Sequence, residues 1–292
     1  MKKIIFLTLL LTSPAWGAGN KCPLVQGHRG SRGTVPENTL PAFEAALMAE
    51  ADVLEMDMDV TKDNVVVISH EPRVTPERCL GPDGKALEKA VPIRSLTLAE
   101  LKKYDCGSLV NAKFPQQLAV PGEHMPTLDE VFAMVEASGY QAAPKVEFNI
   151  ETKIFPSEPE LTPSPAEFAG LVMDVIKKHG MENRVIVQSF DVRTLKEIKK
   201  LNPAVRTAQL TSDNLLDIAP ALKAAGTDIW SPNYLWITTS AVHAAQTAGL
   251  QVAPWTLNTK KDWDFALEAG VDAIITDYPA ALVEYLQEKK LR

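Results

Sequence analysis

The sequence predicts an α/β fold, a distorted (β/α)8 TIM-like barrel with a β-hairpin and an insertion after its second strand. Three observations point there. Eight short apolar stretches end near His28, Asp57, Glu151, Ser189, Gln209, Ser231, Trp255 and Asp277. Helical patterns alternate with them over roughly 250 residues, the usual length of such a barrel. Nearly every chemically capable side chain falls at a strand end, where a barrel of this kind builds its site. An open doubly wound sheet is the rival, but no glycine-rich dinucleotide fingerprint follows the first strand.

At the N-terminus, Lys2 and Lys3 precede an apolar run over 4–11, too short to span a bilayer. Ser13 and Pro14 break it, and Ala15-Trp16-Gly17-Ala18 offers small residues for cleavage. We read 1–18 as a signal peptide and 19–292 as a single barrel domain, secreted or periplasmic. Gly19-Asn20-Lys21 before Cys22 is a poor lipoprotein site, and no later stretch is long enough for a membrane helix. The first strand, 23–28, ends at His28-Arg29-Gly30, and glycine there lets backbone approach a ligand closely. Asn38 or Thr39 caps a helix to about Glu50, with Phe43, Ala46 and Leu47 on its inner face.

The stretch 55–71 comes next, and it organises the chain. Glu55, Asp57 and Asp59 alternate with Met56, Met58 and Val60, so a strand carries the three carboxylates on one face. Residues 61–64 form a turn and 65–68 a β-branched return strand ending at His70. A hairpin centred near Asp63 sets residues whose numbers sum to about 126 or 127 across from each other. His70 then lies beside Asp57. Residues 71–126 break the rhythm, with a short helix over 95–101 and Pro- and Gly-rich chain elsewhere. This insertion shows no core of its own, and it leaves from the strand end beside His70 as a lid or substrate rim. Of three cysteines, Cys79 and Cys106 both lie in it, and we expect them to pair, since Cys22 belongs at the other end of the barrel.

Thr127 and Glu130 form a capping box that starts the next helix, and a strand follows over 146–151. Ser164 to Glu167 is a second box with Pro165 at the first helical position, and its helix ends at His179-Gly180. Strands over 185–190, 206–210, 228–232, 252–257 and 273–277 then alternate with helices ending at Leu201, Ala225, Gly249 and Gly270, and a helix closes the chain.

Glu55, Asp57 and Glu151 form an all-oxygen donor set that suits Ca2+ or Mg2+. Without a cation, three buried carboxylates would repel one another. Asp59 shares the face but lies further along, in a supporting role. His28 and His70 are the two histidines at strand ends and can divide general base and general acid duties. His124, His179 and His243 read as core or surface residues. Arg29 and Lys153 add two cations suited to a phosphate. The set describes a site for a phosphoryl compound. The formal charge of −7, or −9 without Lys2 and Lys3, disfavours nucleic acid as a partner.

Over 24–285 the chain resembles the glycerophosphodiester phosphodiesterases. The matching pieces are GHRG at 27–30, PENTLPAFEAAL at 36–47, EMDMDVTKDNVVVISHE at 55–71, LTLAELKKYDCG at 96–107 and MPTLDEVF at 125–132. NIETK at 149–153, QSF at 188–190, PWTLN at 254–258 and TDYP at 276–279 complete them. The resemblance implies a distorted barrel that hydrolyses deacylated phospholipids to glycerol 3-phosphate and an alcohol with a divalent cation. His28 and His70 match the acid–base pair; Glu55, Asp57 and Glu151 match the metal ligands; Arg29 and Lys153 match phosphate contacts. Glu37 and Asn38 match the family's PEN element, and Gln188 and Asp277 match residues that orient neighbours. Trp255 matches an aromatic wall of the glycerol pocket, with core packing as the alternative. Thr152 stands where an aliphatic residue is commoner. The insertion and signal make the exported, Ca2+-using branch the nearest comparison, with Mg2+ possible on the same ligands.

The expected partner is a small glycerophosphodiester, with no nucleic acid and no stable membrane insertion. Two other readings stand beside it. A phospholipase D acting on lysolipids or sphingolipids would show an apolar rim at the barrel mouth. A non-catalytic phosphodiester-binding protein would have lost a histidine or a ligand, and none is lost.

Overall fold

Pairing runs from strand to strand around a nearly closed parallel barrel in the computed structural model, which describes residues 22–213 and 217–292. The expected signal peptide lies outside the described residues. β1 (Leu24–Gly27) leads into α1 (Leu40–Met48), and β2 (Val53–Val60) returns through the antiparallel β3 (Val66–Ile68). The small antiparallel pair β4 (Arg73–Val74) and β5 (Val91–Pro92) follows, then the one-turn helix α2 (Leu98–Leu101). Next come α3 (Leu128–Ala137), β6 (Glu147–Thr152), α4 (Pro165–Lys178), β7 (Val185–Ser189) and α5 (Val192–Leu201). The chain continues with β8 (Arg206–Thr211), α6 (Ile218–Ala224), β9 (Ile229–Pro232) and α7 (Thr239–Thr247). It ends with β10 (Gln251–Val252), α8 (Lys260–Ala269), β11 (Ala273–Thr276) and α9 (Pro279–Glu288).

The parallel strands lie in the order β10-β9-β8-β7-β6-β2-β1-β11. Closure between the ends rests on separate backbone bonds: Asp272 N to Val252 O, Ile275 N to Pro254 O and Leu257 N to Ile275 O, at 2.9–3.1 Å. The strand expected over 252–257 therefore shrinks to Gln251–Val252. Pro254 has no N–H to give a ladder, and Trp255 N turns to Pro232 O instead.

Both capping boxes read from the sequence are formed, Thr127 with Glu130 and Ser164 with Glu167. Each satisfies two helix-end donors that would otherwise lack partners, and such a cap is worth about 1 kcal/mol. All eight residues of β2 are buried, because helices cover one face and the barrel interior takes the other. Leu54, Met56 and Met58 pack outward with Phe43 and Leu47 of α1 and Phe132 of α3. Phe132 meets Phe148 of β6 edge to face at 4.7 Å. A second apolar cluster, Ile186, Ala208, Ile229, Ala253 and Ala273, joins residues from the opposite faces of the strands. The hairpin pairs Met58 with Ile68, Asp59 with Val67 and Val60 with Val66, so the numbers sum to 126 as expected.

The insertion is better built than its sequence suggests. Val74, Cys79, Ile93, Leu101, Cys106 and Met125 form a small core with Val67, contrary to the expectation of none. Its apolar residues are too far apart for any helical or strand period, so only the folded chain gathers them. Cys79 and Cys106 are joined in a disulfide inside that core. The segment docks on the loop after β1 through Gln117 Nε2, which donates to Arg32 O at 2.8 Å and Val35 O at 3.1 Å. Phe114 lies under the Arg32 guanidinium at 4.7 Å. Among the described residues no helix is long and apolar enough to cross a membrane.

The disulfide closes a loop of about 28 residues, and removing that constraint on the unfolded chain costs about 3 kcal/mol. A Cys79→Ala/Cys106→Ala variant should lose about that much in equilibrium urea unfolding.

Candidate active site

Strand register assembles the acidic centre. Across β2 and β6, Glu55 pairs with Asn149 and Asp57 with Glu151, and the period of two turns these residues to the interior. Oxygens of Glu55, Asp57 and Glu151 all lie within 4.8 Å of one another, and all three residues are buried. Oxygens on opposite sides of a Ca2+ ion are about 5 Å apart, so the set fits a hard divalent cation. Burial, reinforced by the charge of Asp57, pushes the Glu55 carboxyl well above its usual range. Burial likewise lifts Glu151 to about 7. Asp57 goes the other way: Lys153 and Arg29 outweigh its desolvation and hold it well below the carboxylate range. Lys153 Nζ bridges Asp57 Oδ1 at 3.0 Å and Glu151 Oε2 at 2.8 Å. Gln188 Nε2 donates to Glu55 Oε1 at 2.6 Å, and Arg29 N to Glu55 Oε2 at 2.9 Å.

The two histidines sit in contrasting surroundings. His28 follows β1, is buried, and places Nδ1 2.6 Å from Asp277 Oδ1 and Nε2 4.0 Å from Glu55 Oε2. Desolvation and the charge of Arg29 lower its basicity against the pull of Asp277. With Nδ1–H given to Asp277, Nε2 is left with a lone pair. Asn258 secures Asp277 in turn, donating from Nδ2 to Oδ2 at 2.7 Å and accepting Asp277 N at 2.9 Å. His70 follows β3 with 31% of its side chain exposed, and its Nδ1 lies 2.8 Å from Glu71 Oε1. Both imidazoles, the three carboxylates, Arg29 and Lys153 line one cavity of about 60 Å3, walled on another side by Phe190 and Trp255.

A tight turn after β1 aims Arg29. Arg29 and Gly30 adopt φ of 50° and 81°, and a Cβ at Gly30 would lie 2.5 Å from the Ala42 carbonyl carbon. Arg29 Nη1 donates to Glu37 Oε1 at 2.5 Å, while its Nε lies 3.2 Å from Asp57 Oδ2. Glu37 also accepts from Arg78 Nη1 at 2.5 Å, and Arg32 Nε lies 2.9 Å from its Oε2 as an ion pair. Asn38 Nδ2 holds Asp57 Oδ2 at 2.9 Å. Trp255 is partly exposed, donates to Ser231 O at 3.0 Å and stands edge-on to Phe190 at 5.7 Å, so it belongs to the cavity wall rather than the core.

The profile of the glycerophosphoryl diester phosphodiesterase family matches residues 28–281. The chain belongs to that family. A glycerophosphodiester phosphodiesterase from Caldanaerobacter subterraneus is 33% identical over 91% of this chain and 98% of the relative. The crystal structure of a Silicibacter pomeroyi protein assigned to the same activity superposes at a TM-score of 0.87 with 28% identity, covering 95% of this chain and 97% of that one. An Oleispira antarctica phosphodiesterase, in complex with its product sn-glycerol-3-phosphate, shares the fold at a TM-score of 0.74 and 24% identity, covering 91% and 97%. The protein is thus a glycerophosphodiester phosphodiesterase by class, and hydrolysis of glycerophosphodiesters is its chemistry.

In this phosphodiesterase His28, Arg29, Glu55, Asp57, His70, Glu151, Lys153, Gln188 and Trp255 line the cavity, whereas Glu37, Asn38 and Asp277 stand behind it, bonded to Arg29, Asp57 and His28. Asp59 does not line the cavity. It is buried beside Val67 in the hairpin, and desolvation pushes its carboxyl up to about 8. His124, His179 and His243 also lie outside the cavity; His179 caps α4 and meets Asp129 and Glu136 at 3.0 and 3.1 Å. Sequence reasoning missed Arg32, Arg78, Phe190 and Asn258. Phe190 and Asn258 lie inside recognised motifs without a role attached, whereas Arg78 sits in an aperiodic segment that offers no signal.

Glu37 shows the sign of the charge balance. Burial would raise its carboxyl, but Arg29, Arg78 and Arg32 pull it well below the usual range. A depressed carboxyl contributes stability that is present above the unfolded value of about 4.3 and fades as pH falls towards the folded one. Glu37→Gln should therefore cost about 3 kcal/mol at pH 7, where it leaves buried guanidinium groups unpaired. Urea midpoints of variant and wild type should draw together below about pH 4.

Proposed function

We propose that this enzyme cleaves deacylated phospholipids to sn-glycerol 3-phosphate and an alcohol, with a divalent cation on Glu55, Asp57 and Glu151 and with His28 and His70 as its acid–base pair. The observation that carries the proposal is the convergence of both imidazoles and all three carboxylates on one cavity. A bound cation would polarise the phosphodiester and offset its charge. Ca2+ is favoured over Mg2+, which keeps more water and usually takes one or two carboxylates.

Arg29 and Lys153 face the phosphate oxygens, Arg29 with the guanidinium N–H groups that Glu37 leaves free. His28 Nε2 takes the proton of the attacking oxygen, either water or the glycerol 2-hydroxyl. Asp277 holds the resulting imidazolium through Nδ1. His70, nearer solvent, gives a proton to the departing alcohol as its P–O bond breaks. Where the 2-hydroxyl attacks, water then opens the cyclic phosphate, His28 returning the proton to the 2-oxygen and His70 taking one from the water. Trp255 and Phe190 pack against the glycerol carbons. Export from residue 19 onward belongs to the same proposal, and the Cys79–Cys106 bond supports it, because such bonds persist in oxidising compartments.

Phe190, Leu235 and Trp236, on loops after β7 and β9, are 48%, 69% and 43% exposed. That apolar edge favours a second reading, a phospholipase D that accepts lysolipids. Choline release from glycerophosphocholine and from lysophosphatidylcholine, each with and without chelator, separates the two. We expect release from glycerophosphocholine alone, abolished by chelator; activity that survives a chelator would remove the cation from the proposal.

Replacing either histidine by alanine should lower kcat by about 10²-fold or more. The two roles are told apart with a p-nitrophenyl ester of glycerol 3-phosphate, whose leaving group needs no proton. His70→Ala should recover most of its rate on it and His28→Ala should not. Recovery by His28→Ala alone would reverse the assignment, and equal recovery of both would cancel it.

A further inference from the structure

Next to the charged centre the barrel interior holds a band of carboxamides. Gln26 of β1, Asn149 of β6 and Gln188 of β7 are 1%, 2% and 1% exposed. Bulky branched apolar side chains ordinarily fill a barrel at such positions, and a buried amide without partners is costly. These amides are joined to each other. Asn149 Nδ2 donates to Gln26 Oε1 at 2.9 Å and to Gln188 Oε1 at 3.1 Å. Gln188 Nε2 is then turned to β2, where it donates to Glu55 Oε1 at 2.6 Å.

The chain of bonds has a direction. Both donors of Asn149 are spent on glutamine oxygens, while its own Oδ1 accepts nothing, so the group is held through its donors. A Gln188 amide rotated by half a turn would set two acceptors, its Oε1 and the Glu55 carboxylate, against each other with no proton between. Strand register puts Asn149 where it can prevent this. It pairs with Glu55 across β2 and β6 and stands two residues before Glu151 on the same face.

We propose that Asn149 is a positioning residue of the cation site: by holding Gln188 Oε1 it fixes the Gln188 amide, and so the orientation in which Glu55 meets the cation. The inference rests on the reading of Glu55, Asp57 and Glu151 as cation ligands. Groups that orient metal ligands from behind typically carry 10–100-fold in metal affinity. Asn149 acts through Gln188, so the two losses do not multiply.

The test is calorimetric titration of Ca2+ into the whole mature enzyme after chelator treatment, with folding followed by thermal unfolding. Asn149→Ala and Gln188→Ala should each weaken binding about tenfold or more, and the double variant should bind no more weakly than Gln188→Ala alone. Asn149→Ser, whose hydroxyl is too short to span both glutamines, stands in if the alanine variant does not fold, and should show the same loss. Folded Asn149 variants that bind Ca2+ like wild type, or a double variant that loses the product of the single effects, would overturn the proposal. Glu55→Gln separates the two levels: if it binds Ca2+ as wild type does, or wild type binds none, the cation reading itself fails and takes the positioning role with it.

Discussion

Parallel pairing of β2 with β6 sets Asp57 opposite Glu151 and Glu55 opposite Asn149, and that pairing buries three acids in one small space. Burial alone would neutralise carboxylates so placed. Much of the surrounding polar structure answers this cost. Lys153 bridges two of the acids, Arg29 and Asn38 hold Asp57, and Gln188 with the Arg29 backbone holds Glu55. A slip of one residue in the register would turn the acids out among the helices and leave these partners facing apolar side chains.

The second constraint comes from the insertion. Its core and disulfide fix a segment that otherwise has little regular structure, and Arg78, adjacent to Cys79, is thereby carried onto Glu37. Glu37 shares one oxygen between Arg78 and Arg29 and gives the other to Arg32. Three guanidinium groups on one buried carboxylate specify geometry better than they add stability, since desolvation offsets much of the attraction. The loop after β1 is held between α1, the insertion and this carboxylate. It presents His28 and Arg29 from a base tied to all three.

The histidines differ for a structural reason. His28 closes a line from Asn258 through Asp277 into the cavity, and every member is buried or partly buried. His70 sits at the open side with a half-exposed carboxylate beside it. One imidazole is tied through Nδ1 to a buried carboxylate; the other is partly open to solvent.

How far the molecule could be read in advance followed from how local each signal was. Alternation at Glu55, Asp57 and Asp59 announced a strand, the turn over 61–64 announced its return, and the capping boxes at Thr127 and Ser164 placed two helices. Asp59 shared that alternation and still missed the cavity, because two further residues carried it past the barrel mouth into the hairpin. The insertion core, the short β10, Arg78 on Glu37 and Asn258 on Asp277 had no local mark. By itself the sequence determined the barrel strands other than β10, the helix starts at Thr39, Thr127 and Ser164, and the chemical identities of the acid and imidazole groups, because these rest on spacing and on residue type. Only the tertiary structure decided which oxygen faces which nitrogen, because partners 249 residues apart, such as His28 and Asp277, meet through barrel closure rather than through any repeat along the chain.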